Sequence, residues 1–476
     1  MLTATRWSSL TELASKLVSP VSNIVLARLL APEAFGVVAT ITMIITFVEV
    51  FTDAGFQKYL IQHEFESEED RIRNTDVAFW SNLFLSAVLW GFIILFREPL
   101  AALVGNPGLG AVIAVACVSI VLEAFSSIQM ALYKRDLDFK TLFKVRIVGI
   151  VVPIVVTIPL AFLFRSYWAL IIGTIVRDLL NAALLTYYSK WKPSFYYSFA
   201  KLREMFSFTF WSMCEAVAIW MTSYVDVFIV GVCLNDHILG IYKTSMTTVG
   251  QIMGLVTAAT TPIIFSSLSR LQASVSELKS MFLTCQKFLA MVVFPIGVII
   301  FCYSSTVCEV LLGSQWTEAV GFIGLWGLMS AVTIIFSHYN SEVFRALGKP
   351  KVSLIVQVLH LVVLIPAVLV AVRYGYEVLY VARSLVRLEL IFVSVVALKI
   401  LIRTSFAELL LNVRYSLIAS VLMVAVSLLL SRTLDSILLS ILGIGISCMA
   451  YLVFLSIFPE SRSQLCKIYK LVVNKK

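Results

Sequence analysis

The 476-residue sequence predicts an all-α polytopic membrane protein of about fourteen transmembrane helices: two six-helix lobes around a central cavity, plus two C-terminal helices. Three observations carry this reading. Hydrophobic residues make up 60% of the chain and charged ones 14%, with a mean hydropathy of +0.95, whereas soluble domains are roughly half apolar and a quarter charged. Apolar windows of about 20 residues, the length that crosses a hydrocarbon core about 30 Å thick, recur along the chain. Basic residues gather in every second connection.

Taken in order, the apolar windows fall near residues 8–29, 37–57, 78–96, 109–131, 143–164, 167–188, 206–233, 238–267, 282–303, 319–340, 352–372, 376–400, 410–430 and 436–457. The first carries Glu12, Lys16 and Arg28 and no small-residue cleavage site, so it reads as a retained helix and not a signal peptide. Glu12 and Lys16 stand one turn apart and pair with each other. Prolines at 20, 153, 159, 262, 295 and 366 interrupt spans and predict curvature or kinks, because each removes a backbone donor.

The net charge of +9 follows the topology of the chain and does not indicate nucleic acid. With the N-terminus inside, the inner connections hold Lys58, Arg71, Arg73, Lys134, Arg135, Lys140, Lys144, Arg146, Lys190, Lys192, Lys201, Arg203, Arg270, Lys279, Lys287, Arg345, Lys349, Lys351, Lys399, Arg403 and Arg414. The opposite side holds Arg28, Arg97, Arg165, Arg373 and Arg432 singly, so both termini are placed inside. The acidic run Glu64, Glu66, Glu68, Glu69 and Asp70 reads as a solvated loop. The eight cysteines form no C-x-x-C pair and the four histidines show no ligand spacing, so no metal or cofactor is expected. No P-loop or nucleophile elbow supports ATP-driven or enzymatic chemistry.

A weak internal repeat is present. Leu26-Ala-Arg-Leu-Leu-Ala-Pro-Glu-Ala-Phe-Gly36 parallels Val230-Gly-Val-Cys-Leu-Asn-Asp-His-Ile-Leu-Gly240, each an apolar helix end, a short polar turn and a glycine. Leu60-Ile-Gln62 and Arg270-Leu-Gln272 recur at nearly the same offset, which divides the chain into residues 1–205, 206–405 and 406–476. Six spans per copy makes the repeats parallel, with a site expected near the midplane.

Charges inside spans cost about 2.5–3.5 kcal/mol each on the insertion scale, so they face a partner or a polar lumen. Arg177 lies about 15 Å into its span at 1.5 Å per residue. Arg387 reaches a similar depth, and Arg383 shares its helix face. Guanidinium forks suit phosphate oxygens, so these arginines, with Arg28, are substrate-binding candidates for a diphosphate. Alternatively, Arg177 pairs with Asp178 or Asp226, and Arg387 with Glu389 or Glu377. Glu49, Asp53, Asp178, Glu215 and Asp226 are candidates for ion coupling or for charge partners, as are Glu123 and Glu342.

Leu26 to Gly36, Ala78-Phe-Trp-Ser-Asn82, Leu132-Tyr-Lys-Arg-Asp-Leu-Asp-Phe139, Trp191-Lys-Pro193 and Phe344-Arg-Ala-Leu-Gly-Lys-Pro350 resemble the oligosaccharide flippases of the polysaccharide-transporter family, from the first span to about residue 400. The resemblance implies the multidrug/oligosaccharidyl-lipid/polysaccharide exporter superfamily. It also implies movement of undecaprenyl-diphosphate-linked repeat units of O-antigen, capsule or exopolysaccharide across a bacterial inner membrane, by alternating access. The partners it implies are the lipid-linked substrate, membrane lipids, and polymerase and chain-length machinery. Asp226-Val-Phe-Ile-Val-Gly231 departs from relatives in lacking the basic residue that often follows this aspartate, which weakens a cavity role for Asp226. Two rivals stay open: a multidrug or cation antiporter, which would want an acidic, aromatic cavity, and a membrane glycosyltransferase or polymerase, which would need a substantial outer loop.

Overall fold

The computed structural model describes residues 18–52, 56–431, 436–460 and 462. Among these, every regular element is helical, as expected where backbone amides have no water to bond and must be satisfied within one segment. Eleven helices are long and apolar enough to cross a membrane, or twelve if the bent pair Phe406–Asn412 and Arg414–Leu430 counts as one. The count of fourteen is therefore not reproduced among the described residues. Of the first expected span only Val18–Leu29 is described, and Glu12 and Lys16 lie outside the described residues. The window 376–400 forms two helices, Tyr376–Leu385 and Arg387–Ile402, each too short to count as a span by itself.

Helix starts follow local chemistry. The helix Glu68–Leu95 begins ten residues before the apolar window, because Ser67 accepts a hydrogen bond from the Asp70 amide and Glu68, Glu69 and Asp70 fill its first turn, where carboxylates complement the helix dipole. The acidic run is thus half helix and not wholly loop. Ser274 and Ser405 cap Val275–Cys302 and Phe406–Asn412 in the same way. Pro153 opens a wide π turn, Pro153–Thr157, that joins Phe139–Val152 to Ile158–Phe164. Gly173 admits this turn, since a Cβ there would overlap the Thr157 hydroxyl. Arg165 and Arg403 close their helices at φ 47° and 54°, the left-handed conformation that ends a helix.

By packing, the chain forms two compact units, residues 1–243 and 244–476. The repeat-based division at 205/206 follows sequence similarity. The packing-based one lies later because Phe199–Cys233 packs on Pro32–Thr52, where Trp220 Nε1 donates to Thr46 Oγ1 at 3.1 Å. In the first unit Trp168–Tyr188 packs on Val118–Arg135 and Phe139–Val152, and Glu68–Leu95 also packs on Val118–Arg135. One end of this unit is clipped by polar contacts. Asp76, fully buried, accepts from Trp191 Nε1 at 3.1 Å, from the Ser194 amide at 3.1 Å and from Ser194 Oγ at 2.5 Å. Arg135 donates to the Leu60 carbonyl at 2.7 Å and the His63 carbonyl at 2.6 Å, capping the helix Phe56–Gln62. Tyr59 donates to Glu204 at 3.1 Å, and burial together with that carboxylate pushes the phenol pKa up.

In the second unit Val275–Cys302 packs on Val320–Thr333 and on Arg414–Ser431, which in turn packs on Ile437–Ile457. Lys287 pairs with Glu460 at 2.9 Å and holds that carboxyl below its usual range. The last two helices meet their neighbour along a seam of hydroxyls. Ser427 Oγ donates to Ser447 Oγ at 2.9 Å, Tyr303 Oη lies 3.1 Å from Ser447 Oγ, and Tyr451 Oη donates to the Met291 carbonyl at 3.2 Å. Lipid tails are as apolar as leucine, so close packing of small residues and interhelical hydrogen bonds hold such helices, at about 0.6 kcal/mol per bond. Outward faces carry bare apolar side chains such as Leu95 and Ile400, each 76% exposed, a surface suited to lipid. The protein is a multi-pass membrane protein.

Ser447 is fully buried in that seam. Ser447→Ala is expected to lower stability by about 0.6–1 kcal/mol and Ser447→Leu by about 1–3 kcal/mol through overpacking. The ordering is checked by thermal-shift measurement of the detergent-solubilised protein.

Candidate substrate-binding and gating sites

The second unit concentrates its intramembrane charge around one aromatic ring. The helix break at Val386 leaves Arg383 and Arg387 on one side, and both guanidinium groups lie over Trp326, at 5.0 and 3.3 Å from the ring centroid. Arg387 also donates to Ser330 Oγ at 2.6 Å, and Arg383 is buried. A cation above an indole face is stabilised by the ring quadrupole by about 2 kcal/mol when desolvated. Glu389, a possible partner of Arg387 from sequence, instead meets His360 Nδ1 at 3.0 Å. Trp326, Ser330 and His360 were not found as site residues by sequence, because none is near the arginines along the chain.

The first unit treats its arginine differently. Arg177 Nε donates to Asp178 Oδ1 at 2.9 Å, and its Nη2 lies 3.9 Å from Glu123 Oε1. Glu49 reaches the Glu123 carboxyl. Arg177, Asp178, Glu123 and Glu49 therefore form one cluster with more carboxylates than cations, and of the two readings open for Arg177 the local ion pair with Asp178 is the one present.

Other predicted residues are scattered. Asp226 is fully buried and accepts from Tyr242 Oη at 2.9 Å and from the Val227 amide at 2.8 Å, tying Phe199–Cys233 to the start of Asp236–Arg270 in place of any pairing with Arg177. Glu342 is buried and meets Arg345 at 2.5 Å. Arg28 is exposed near the end of Val18–Leu29. Glu215 lies in Phe199–Cys233, outside the residues whose side chains are described, and Asp53 lies outside the described residues.

The two repeated turns meet each other inside the first unit. A Cβ at Gly36 would overlap the Asp236 carbonyl, and one at Gly240 would overlap the Pro32 carbonyl and approach the Gly36 amide. Glycine is needed at both places because backbone touches backbone. Glu33 lies 2.8 Å from His237 Nδ1, and Asn106 Nδ2 donates to Asp236 Oδ1 at 2.7 Å. The carboxylates of Glu33 and Asp236 sit in the first turns of their helices, where the dipole favours them. The two turns paired by sequence similarity are thus in contact with each other.

The profile of the family described as "Polysaccharide biosynthesis protein" matches residues 25–321. The succinoglycan biosynthesis transport protein ExoT of Rhizobium meliloti is 22% identical over 326 residues, which cover 68% of this chain and 65% of ExoT. The teichuronic acid biosynthesis protein TuaB of Bacillus subtilis is 20% identical over 351 residues, covering 73% of this chain and 72% of TuaB. In fold the chain is similar to the lipid II flippase MurJ in an inward closed conformation, with a TM-score of 0.76, 14% identity, and coverage of 96% of this chain and 99% of that one.

Because Gly36 and Gly240 admit no side chain while the turns are in contact, Gly36→Ala and Gly240→Ala are expected to hold them apart. In a Cys233→Ala background, a cysteine substituted for Leu239, which is fully buried here, should react with a membrane-impermeant maleimide several-fold faster when either alanine is present. Equal reaction rates would show that contact between the turns does not depend on glycine.

Proposed function

The chain belongs to the polysaccharide biosynthesis protein family, and on that premise we propose that it is a flippase and not an enzyme. Its cargo in this reading is an undecaprenyl-diphosphate-linked oligosaccharide repeat unit, carried by alternating access from the cytoplasmic to the periplasmic leaflet of a bacterial inner membrane. The relatives named for succinoglycan transport and teichuronic acid biosynthesis support the glycan class. The likeness in fold to a lipid II flippase supports a lipid-linked cargo.

The observation that carries the reading is the pair of arginines held over Trp326. Stacking orients both guanidinium groups before substrate arrives, and guanidinium is the side chain best matched to phosphate oxygens. The diphosphate is assigned to Arg383 and Arg387. Arg177, neutralised by Asp178 and Glu123, is a weaker candidate for phosphate and a better one for charge balance as the first unit moves. Carrying two negative charges outward is favoured by an inside-negative potential, by roughly 2.3 kcal/mol per charge per 100 mV.

A cation or multidrug antiporter would place carboxylates against its aromatic wall. In the second unit the groups stacked on Trp326 are cations, which disfavours that rival. The distribution of basic residues supports a cytoplasmic location for both termini. A glycan polymerase and chain-length machinery are the expected consumers of the product.

Deleting the gene should abolish surface polymer and accumulate lipid-linked repeat units. Arg383→Ala and Arg387→Ala, at matched membrane levels, should fail to restore export. Loss of one charge-assisted contact worth about 1.5–3 kcal/mol corresponds to about a 10- to 150-fold weaker hold on the diphosphate. Unchanged surface glycan and intermediates in the deletion strain would overturn the function. Full complementation by both alanine variants would overturn the arginine site alone.

A further inference from the structure

The connection after Trp168–Tyr188 is built to present aromatic rings outward. Its inner side is anchored by the buried Asp76 to Trp191 and Ser194, by Trp80 Nε1 donating to the Ser194 carbonyl at 2.7 Å, and by Tyr197 Oη 3.0 Å from Ser81 Oγ. Arg73 lies over the Tyr196 ring at 5.3 Å. A segment fixed by this many contacts does not expose side chains through looseness. Yet Phe195 is 97% exposed, Phe199 79% and Tyr187 76%, and Phe195 rests on the protein through one stacked contact with Trp80 at 5.4 Å. Aromatic rings displayed in this way are favoured at the headgroup level of a bilayer and disfavoured in water.

The exposed charged side chains on this connection, Lys190 and Lys192, are both basic. Lys192 Nζ donates to the Thr186 carbonyl, at the end of the helix that carries Tyr187 and Tyr188. Lys144 lies over the Tyr188 ring at 5.7 Å. A helix C-terminus repels anions by itself, so these two ammonium groups reverse the local field. Between Phe139 and Arg203 the sequence contains one acid, Asp178, and that carboxylate is held by Arg177. Lys140, Lys190 and Arg203, all exposed, add to the same field.

We propose that Lys144 and Lys192 bind the phosphate of an anionic glycerophospholipid of the leaflet on this side, with Tyr187, Phe195 and Phe199 seated among its headgroups. This lipid is a resident of the bilayer and not the carried substrate, and the inference does not depend on the flippase reading. It assigns the Trp191-Lys-Pro193 motif a purpose: the clip on Asp76 sets the height at which the rings meet the membrane.

The test is native mass spectrometry of the full chain in detergent, with equimolar phosphatidylglycerol and phosphatidylcholine. The wild type should retain phosphatidylglycerol preferentially. A basic residue near an anionic surface contributes about fivefold in binding, so Lys144→Ala/Lys192→Ala should lose about 25-fold, and Lys144→Arg/Lys192→Arg should regain most of it. If the double alanine variant fails to fold, Lys144→Gln and Lys192→Gln singly should each lose about fivefold. Equal retention of the two lipids by the wild type, or unchanged retention by the alanine or glutamine variants, would overturn the proposal. So would a dimer of wild type that Phe195→Ser/Phe199→Ser dissolves, because the rings would then face a second copy.

Discussion

Inside a bilayer every backbone amide and every charge must find its partner within the protein, and the structure can be followed outward from that requirement. It permits helices and little else, and it makes each interruption of a helix conditional on cover. The π turn at Pro153–Thr157 is covered by the bare backbone of Gly173. The break at Val386 stands beside Trp326, under two arginines. Where helices lie side by side with only lipid beyond, hydroxyl pairs such as Ser427 and Ser447 supply the specificity that apolar surface cannot.

The same requirement has two solutions for arginine in this chain. In residues 1–243, Arg177 is met by carboxylates, and the result is a compact cluster whose net charge depends on several acids together. In residues 244–476, Arg383 and Arg387 are met by the face of an indole and by a serine hydroxyl. An aromatic face stabilises a cation without neutralising its charge. The first arrangement suits charge balance; the second suits reversible capture of an anion. In the proposed carrier the two would serve different steps, holding cargo and balancing charge on its release.

The turns that contain Gly36 and Gly240 join repeat to function. Backbone contact at both glycines, with Glu33 on His237 and Asn106 on Asp236, makes a junction whose closed form is well satisfied and whose opening breaks several polar contacts together. The motif Leu26 to Gly36, the most specific piece of the family resemblance, is accounted for by that geometry.

Much of this was legible along the chain. Hydrophobic periods and the alternation of basic connections determined the helical class and the approximate position of nearly every span, because lipid imposes one length and one polarity on each of them. The repeat, the odd intramembrane arginines and their i, i+4 spacing were likewise visible as local pattern. What the sequence could not decide was pairing. Whether Glu389 turns to Arg387 or to His360, that Glu123 lies beside Arg177, and that Trp326 lies under two arginines more than fifty residues away all depend on which helices pack together. The span count also shifted: the twelfth window is divided at Val386 into two helices, each shorter than a span. Composition and period are properties of one helix against lipid, and so they can be read from one strand of text. Charge pairing is a property of two helices against each other, and only the folded chain brings those together.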